Sequence, residues 1–521
     1  MLYEFKFLDG EVFTGGTVSN GVEMPYTSST IKEFDFTRQT LNQTMPLYVS
    51  NKGRYIWSDN PFKISFVGDG TIKMEGKDII LVEAGKTLKD AYMHAMKNHF
   101  PFDGRPLPEK FFETAQYNSW MEFIYDPTQE GILDYAKNII KHGFEPGILI
   151  IDEGWHGRYG NWEFDPAKFP KPKEMVDELH KLGFTVLLWV CPLVCPDGRF
   201  FITHTFPSLN PEGTSGEIFL RTAKGTPAIV NWWNGMSAIL DLRKEVDCNF
   251  LDRQLQHLMK DYGIDGFKFD GGTVHMYHAE NVINAPVRED HDPYAMNKAW
   301  NEFGRRYTYH EYKDTYHGGG INCIQRLLDR RHRWTNGGID TLIPCTIAQG
   351  LIGHPFTCPD MIGGGEWSFF HRVGENNVIS EELFVRMAQV SALCPMMQFS
   401  WAPWRSLSEE NLGYVVDAAK LHKKFAPEII RLVKISETSG EPIVRSLEYN
   451  DPGKGYERIV DQFMVGEDIL VCPVVTPDTF KKECAFPEGT WLDEDGNEYA
   501  GGQYHVIDTP LSKLRYFVRK K

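Results

Sequence analysis

Residues 262–272 read YGIDGFKFDGG. Gly266 to Phe269 form a short apolar run bounded by turn residues, the pattern of a strand buried on both faces within a parallel sheet. The run predicts Asp270 at the C-terminal end of that strand, where (β/α) barrels carry their chemistry. Side chains alternate along a strand, so Lys268 is expected on the same side as Asp270. Gly271 and Gly272 are expected to leave room for a ligand beside the backbone. A strand-end aspartate also caps helices well, and the segment alone leaves both readings standing.

On either side, apolar runs (ILIID, TVLLWV, CIQRLLD) alternate with helical stretches such as ILDYAKNIIKHG, PKEMVDELHKLG and FLDRQLQHLMKDYG, each ending at or near glycine. Repeated β and α at this spacing predicts a parallel sheet, and its length favours closure into a (β/α)8 TIM barrel. The segments before it (YEFKF, RYIWS, FKISF, IILVE) are short, alternating and broken by Gly, Asn and Asp, the pattern of a β-sandwich. Strand patterns return in PIVRSLEY, DILVCPVV and YHVI. The expected organisation is therefore an N-terminal β-sandwich over 1–105, the barrel over 106–430 and a C-terminal β-sandwich region over 431–521.

Composition narrows the function. The 521 residues are 42% hydrophobic and 13% aromatic, enough for a large core in more than one domain. A formal charge of −16 argues against nucleic acid or an anionic membrane as partner, because both need a basic face. Thirteen tryptophans suit a sugar-binding cleft, since pyranose C–H faces stack on aromatic rings, although most tryptophans only pack. MLYEFKFLDG carries charges and no apolar stretch, so neither signal peptide nor anchor is expected there. Nine scattered cysteines lack metal-ligand spacing, which predicts no metal and reduced thiols in a cytoplasm. Homo-oligomerisation is left open.

The strand ends collect acids and aromatics. ILIIDEGW brings Asp152 and Glu153, TVLLWV brings Trp189, NWWNG brings Trp232 and Trp233, CIQRLLDRRHRW brings Asp329 and TCPDMIGGG brings Asp360. In a barrel these converge on one rim. Carboxylates from separate strands, with no metal set and no Ser-His arrangement, suggest acetal hydrolysis, one acting as nucleophile and another as general acid and base. GGGIN and GGGEW lack the lysine and the helix that phosphate binding would need.

These motifs resemble glycoside hydrolase family 31, and within it the branch holding bacterial α-galactosidases and an animal glycosidase. NKGRYIWSDNPF is similar to the family's N-terminal sandwich signature, NSWMEFIYDPTQEGILDYA to its first barrel unit and IDEGWHGRYGNWEFDPAKFP to its second. GFKFD resembles the nucleophile strand, and LIPCTIAQGLIGHPFTCPDMIGG and CPMMQFSWAPW resemble late-barrel segments. The resemblance covers nearly the whole chain.

It implies a retaining exo-α-glycosidase that needs no cofactor, binds an oligosaccharide or glycoside, and uses Asp270 as nucleophile and Asp329 as acid/base. Asp340, in the turn TNGGID, competes with Asp329 and reads better as a helix cap. Sugar-binding roles are implied for Trp120, Asp152, Glu153, Trp189, Trp233, Lys268, Lys313 and Asp360, with Glu153 alternatively supporting Asp152. Three departures from the family pattern stand out: Lys313 in place of a sugar-clamping arginine, Arg331 and His332 beside Asp329, and Gly365-Glu366 in place of an asparagine after the glycines. Gln398 and Ser400 replace the arginine and histidine usual in the α-glucosidase branch, which points to terminal α-galactosyl residues. An α-glucosidase, an α-xylosidase or a catalytically silent sugar-binding homologue are the alternatives.

Overall fold

The computed structural model describes residues 1–38, 42–206, 218–370 and 378–521. The chain divides into two compact units, Tyr117–Ile140 with Pro146–Tyr316, and Met1–Gln116 with Lys141–Glu145 and His317–Lys521.

The first of these is built on parallel strands. β1 (Gln116–Asn118), β2 (Ile148–Ile151), β3 (Thr185–Val190), β4 (Gly266–Phe269) and β5 (Tyr309–Tyr312) pair in chain order. β2 and β4 are buried along their whole length, as their unbroken apolar runs predict. The helices α1 (Gln129–Lys141), α2 (Pro172–Lys181), α3 (Glu245–His257) and α4 (Pro293–Gly304) alternate with the strands. α2 starts with proline at its first turn and buries Met175, Val176 and Leu179 on one face. Asp292 caps α4 by accepting the Tyr294 and Ala295 N–H groups. α3 loosens into a π-turn, Leu258–Tyr262, which Gly263 ends at φ 84° before the chain enters β4.

One feature of this unit differs from expectation. Gly271 and Gly272 adopt φ 65° and 61°, and a side chain on Gly272 would stand 2.6 Å from Trp300 Cδ1. Left-handed backbone at both positions and, at Gly272, packing on an indole, rather than space for a ligand, require these glycines. The long β3–β4 connection carries structure of its own. It holds a small antiparallel sheet of Leu193–Val194, Gly235–Ile239 and Ile229–Trp232, and its hairpin turns at Trp233 and Asn234.

The second unit opens with two antiparallel sheets. One orders Leu2–Lys6, Thr71–Glu75, Lys63–Val67 and Ile31–Asp35; the other runs through Tyr26–Thr27, Val12–Thr17, Gln43–Ser50, Arg54–Trp57 and Ile80–Glu83. Aromatic packing joins their faces, with Tyr26 stacked on Phe66 at 4.6 Å and Tyr48 edge-on to Phe66 at 5.8 Å. Later in the chain come β6 (Ile324–Arg326) parallel to β7 (Thr357–Cys358), and β8 (Met361–Ile362) parallel to β9 (Gln398–Phe399). Between β6 and β7 lies α5 (Leu342–Leu351), buried all round. After α6 (Glu381–Ala392), α7 runs from Glu409 to Ser439 and ends at Gly440 with φ 70°. The boundary expected at 430/431 therefore falls inside a helix. The C-terminal sheets follow, around a core of Met464, Phe486, Trp491 and Phe517.

Candidate active site

At the C-terminal ends of β2, β3 and β4 four side chains meet: Asp152, Trp189, Lys268 and Asp270. Register places Trp189 beside Lys268 and Lys268 beside Glu311 on neighbouring strands. Lys268 donates to Asp152 Oδ2 at 2.6 Å and stands 4.0 Å from Asp270 Oδ2. Asp270 Oδ2 accepts the Trp189 indole N–H at 3.1 Å, and Oδ1 accepts the Gly271 N–H at 2.8 Å. The main-chain N–H of Asp270 is tied to Val190 O, which fixes the residue to the strand end. Asp270 keeps 15% of its side chain exposed, against 3% for Lys268 and Asp152. A carboxylate with one oxygen on an indole N–H and the other on a peptide N–H is fixed in direction.

Asp152 is anchored from below: its N–H donates to Ser119 Oγ, and its Oδ1 accepts the Glu153 N–H. Glu153 faces a different group of partners. Tyr159 donates its hydroxyl to Glu153 Oε1 at 2.7 Å, Asn234 donates to the same oxygen, and the Trp233 indole lies 3.4 Å from both. Burial pushes the Glu153 carboxyl up to about 8, and the negative Asp152 and Asp270 add to the rise. Its environment thus favours the protonated acid at neutral pH, beside two carboxylates that share Lys268.

The tryptophans separate by exposure. Trp189 is 1% exposed, packed in a core with Cys191, Leu193 and Met276, and its N–H serves Asp270. Trp120 opens a helical turn after β1, its N–H capped by Asn118 Oδ1, and its ring meets Tyr125 edge-on at 5.3 Å. Trp233, at the hairpin turn, is 50% exposed. Lys313 follows β5 directly and is half-buried.

In the other unit, Asp329 lies three residues beyond β6, with 22% of its side chain exposed. Arg326, at the end of β6, brings Nη1 to within 2.9 Å of Asp329 Oδ1 and 2.9 Å of Asp360 Oδ1. Asp360, like Asp152 and Lys268, is 2% exposed, with Oδ1 on Arg326 and Oδ2 on the Arg330 N–H at 2.6 Å. Its carboxylate is committed inside the protein. Burial pushes it up to about 6; Arg326 opposes that rise and Asp329 adds to it. Asp340 accepts the N–H groups of Asn336 and Gly338 at 3.0 Å each, anchoring its own turn. His332 joins Gly363 O at 2.9 Å to the Ser380 N–H at 2.9 Å, and burial lowers its pKa to about 4, so this departure from the family pattern is structural.

Tyr159, Asn234 and Arg326 are polar partners that reading the sequence did not single out. For Arg326 a signal existed, since a cation ending the apolar run just ahead of Asp329 needs a carboxylate once buried. Tyr159 and Asn234 lie in loops and carried none. Among the described residues no three acidic, histidine or cysteine side chains are grouped to hold a metal, and no helix is long and apolar enough to cross a membrane.

A family model for the TIM-barrel domain of glycosyl hydrolases family 31 matches residues 106–427, and one for the family's C-terminal domain matches 440–521. The chain belongs to glycoside hydrolase family 31, and its fold is that family's TIM barrel flanked by N- and C-terminal β-rich regions. It is 30% identical over 442 residues to the myogenesis-regulating glycosidase of Mus musculus, covering 83% of this chain and 60% of the relative. It is 26% identical over 525 residues to alpha-glucosidase 2 of Bacillus thermoamyloliquefaciens, covering 92% and 62%. An alpha-xylosidase of Saccharolobus solfataricus is 24% identical over 559 residues, covering 99% and 70%. The chain thus spans only 60% and 62% of the length of the first two relatives. The solved GH31 dextranase of Flavobacterium johnsoniae, complexed with glucose, superposes with a TM-score of 0.82 at 18% identity, over 100% of this chain and 66% of that one.

Proposed function

We propose that this chain is a retaining exo-α-glycosidase with Asp270 as nucleophile and Asp329 as acid/base, acting on terminal α-galactosyl residues. The observation that carries it is the state of Asp270: an oriented carboxylate at a barrel strand's C-terminal end, gripped by Trp189 and Gly271 and still partly exposed. In the first step an Asp270 oxygen bonds to the anomeric carbon while the glycosidic C–O bond breaks and Asp329 gives its proton to the leaving oxygen. In the second, Asp329 takes a proton from water, the water oxygen bonds to the anomeric carbon and Asp270 is released. Trp189 orients Asp270, Asp152 and Lys268 bind sugar hydroxyls, and Trp120 and Trp233 offer ring faces. Lys313 is assigned a further contact to hydroxyls, and Glu153 supports Asp152. The free cysteines suit a reducing cytoplasm.

Galactose differs from glucose at O4, so the preference must come from groups that meet that hydroxyl. A buried acceptor left unpaired by the wrong epimer can discriminate by orders of magnitude. The relatedness to an alpha-glucosidase and an alpha-xylosidase favours a second reading, in which the same two aspartates act on α-glucosides or α-xylosides. Nitrophenyl α-glycosides of galactose, glucose, xylose and N-acetylgalactosamine separate these readings. The α-galactoside is expected to be cleaved fastest, with Asp152→Asn narrowing the preference; faster cleavage of the glucoside or xyloside overturns the sugar assignment and leaves the two-aspartate mechanism standing.

A further inference from the structure

Asp329 shares its cation. The side chain of Arg326 is 1% exposed, and its Nη1 lies 2.9 Å from one oxygen of Asp329 and 2.9 Å from one oxygen of Asp360. Gly365 approaches the same two oxygens so closely that a Cβ there would stand 3.0 Å from Asp329 Oδ1 and 3.1 Å from Asp360 Oδ1. The absence of a side chain at this position keeps the shared contact open. A guanidinium acting on Asp329 alone would lower its pKa by about 1–3 units, and an acid catalyst so depressed would hold no proton near neutral pH.

We infer that Asp360 is a positioning residue for Asp329, acting through Arg326: it draws on the guanidinium that both carboxylates share, so that Asp329 is held in direction and still carries a proton to the leaving group. This rests on the reading of Asp329 as the acid/base. The rise of Asp360 to about 6, partly caused by Asp329, fits two carboxyls whose charges respond to each other. Other titratable groups border the pair. Arg330 presents its main-chain N–H to Asp360; Glu366 binds Arg330 O through its N–H and Ser368 through its carboxylate; Cys358 lies 3.8 Å from Asp360 O; and His332 is held between Gly363 and Ser380. Among these contacts, that of Arg326 joins both carboxylates.

The test is the pH profile of kcat/KM for the full chain, on one activated aryl glycoside and one glycoside with a poor leaving group. In Asp360→Asn the guanidinium loses the carboxylate that competes with Asp329, so the alkaline limb is expected to move down by about one pH unit or more, with the poor leaving group hit harder. In Arg326→Gln the cation is gone and the limb is expected to move up; the double variant should lie between the two. A limb unmoved or shifted upward in Asp360→Asn, in a protein that melts as a folded chain, overturns the inference. If that variant does not fold, an unmoved or lowered limb in Arg326→Gln overturns it. Asp329→Ala separates the two levels: equal loss on both substrates without azide rescue removes the acid/base reading itself, whereas selective loss with rescue keeps that reading, and the limbs then decide the role of Asp360.

Discussion

Lys268 and Asp152 meet across β3, Nζ to Oδ2 at 2.6 Å, with both side chains 3% exposed. The two strands that supply them are not neighbours, so the contact lies on one face of the parallel sheet at its C-terminal edge. A charge this deeply buried is tolerated only because its partner is present. The same ammonium stands 4.0 Å from Asp270 Oδ2.

Removing the cation is therefore expected to cost stability as well as activity. Lys268→Met leaves Asp152 buried and unpaired, and the loss should be about 3–5 kcal/mol in urea unfolding. A loss below about 1 kcal/mol would mean that water reaches Asp152.

Asp270 contributes to the reaction more than to packing. Asp270→Ala is expected to lower kcat by roughly four orders of magnitude or more while the melting temperature stays within a few degrees. A fluorinated glycosyl inactivator should label Asp270 in peptide mapping; labelling of another acid sinks the assignment.

Glu153 makes stability depend on pH. Its carboxyl titrates at about 8 in the folded chain against an ordinary value of 4.5, so above 4.5 the folded state binds more protons than the unfolded one. Stability should then fall as pH rises from about 4.5 to about 8, the opposite slope to that of a salt-bridged carboxylate, and the decline should total a few kcal/mol. Glu153→Gln copies the neutral acid and is expected to flatten this slope in melting curves recorded across that range. An unchanged slope would assign the pH dependence to other groups.

Asp329 and Asp340 are told apart by leaving group. Asp329→Ala should harm substrates with poor leaving groups far more than activated aryl glycosides, with azide restoring part of the second step. Asp340→Ala removes an acceptor for two turn N–H groups and is expected to cost about 1 kcal/mol of stability with equal, small effects on both substrates. The reverse pattern would exchange the two roles.

Much of this architecture was legible because its determinants are local. The unbroken apolar runs of β2 and β4, the proline and aspartate that start α2 and α4, and the glycine that ends α7 each act within a few residues of themselves. Period-two alternation is enough to put Lys268 and Asp270 on one side of their strand. The boundary read at 430 lies inside α7, which continues to Ser439 through Pro427, because a helix carries no break of pattern where it passes from one region to the next.

By itself, the sequence determined the parallel strands, the family and the strand-end positions of Asp152 and Asp270, since strand period and apolar run length are properties of neighbouring residues. Only the tertiary structure decided how the acids are held. Glu153 is enclosed by Tyr159 and by a hairpin about eighty residues downstream, Asp360 is held by Arg326 and the Arg330 N–H, and Arg326 is divided between two carboxylates. Burial and hydrogen-bond partners from distant segments set the charge and direction of a carboxyl, and neither is a property of the residues beside it in the chain.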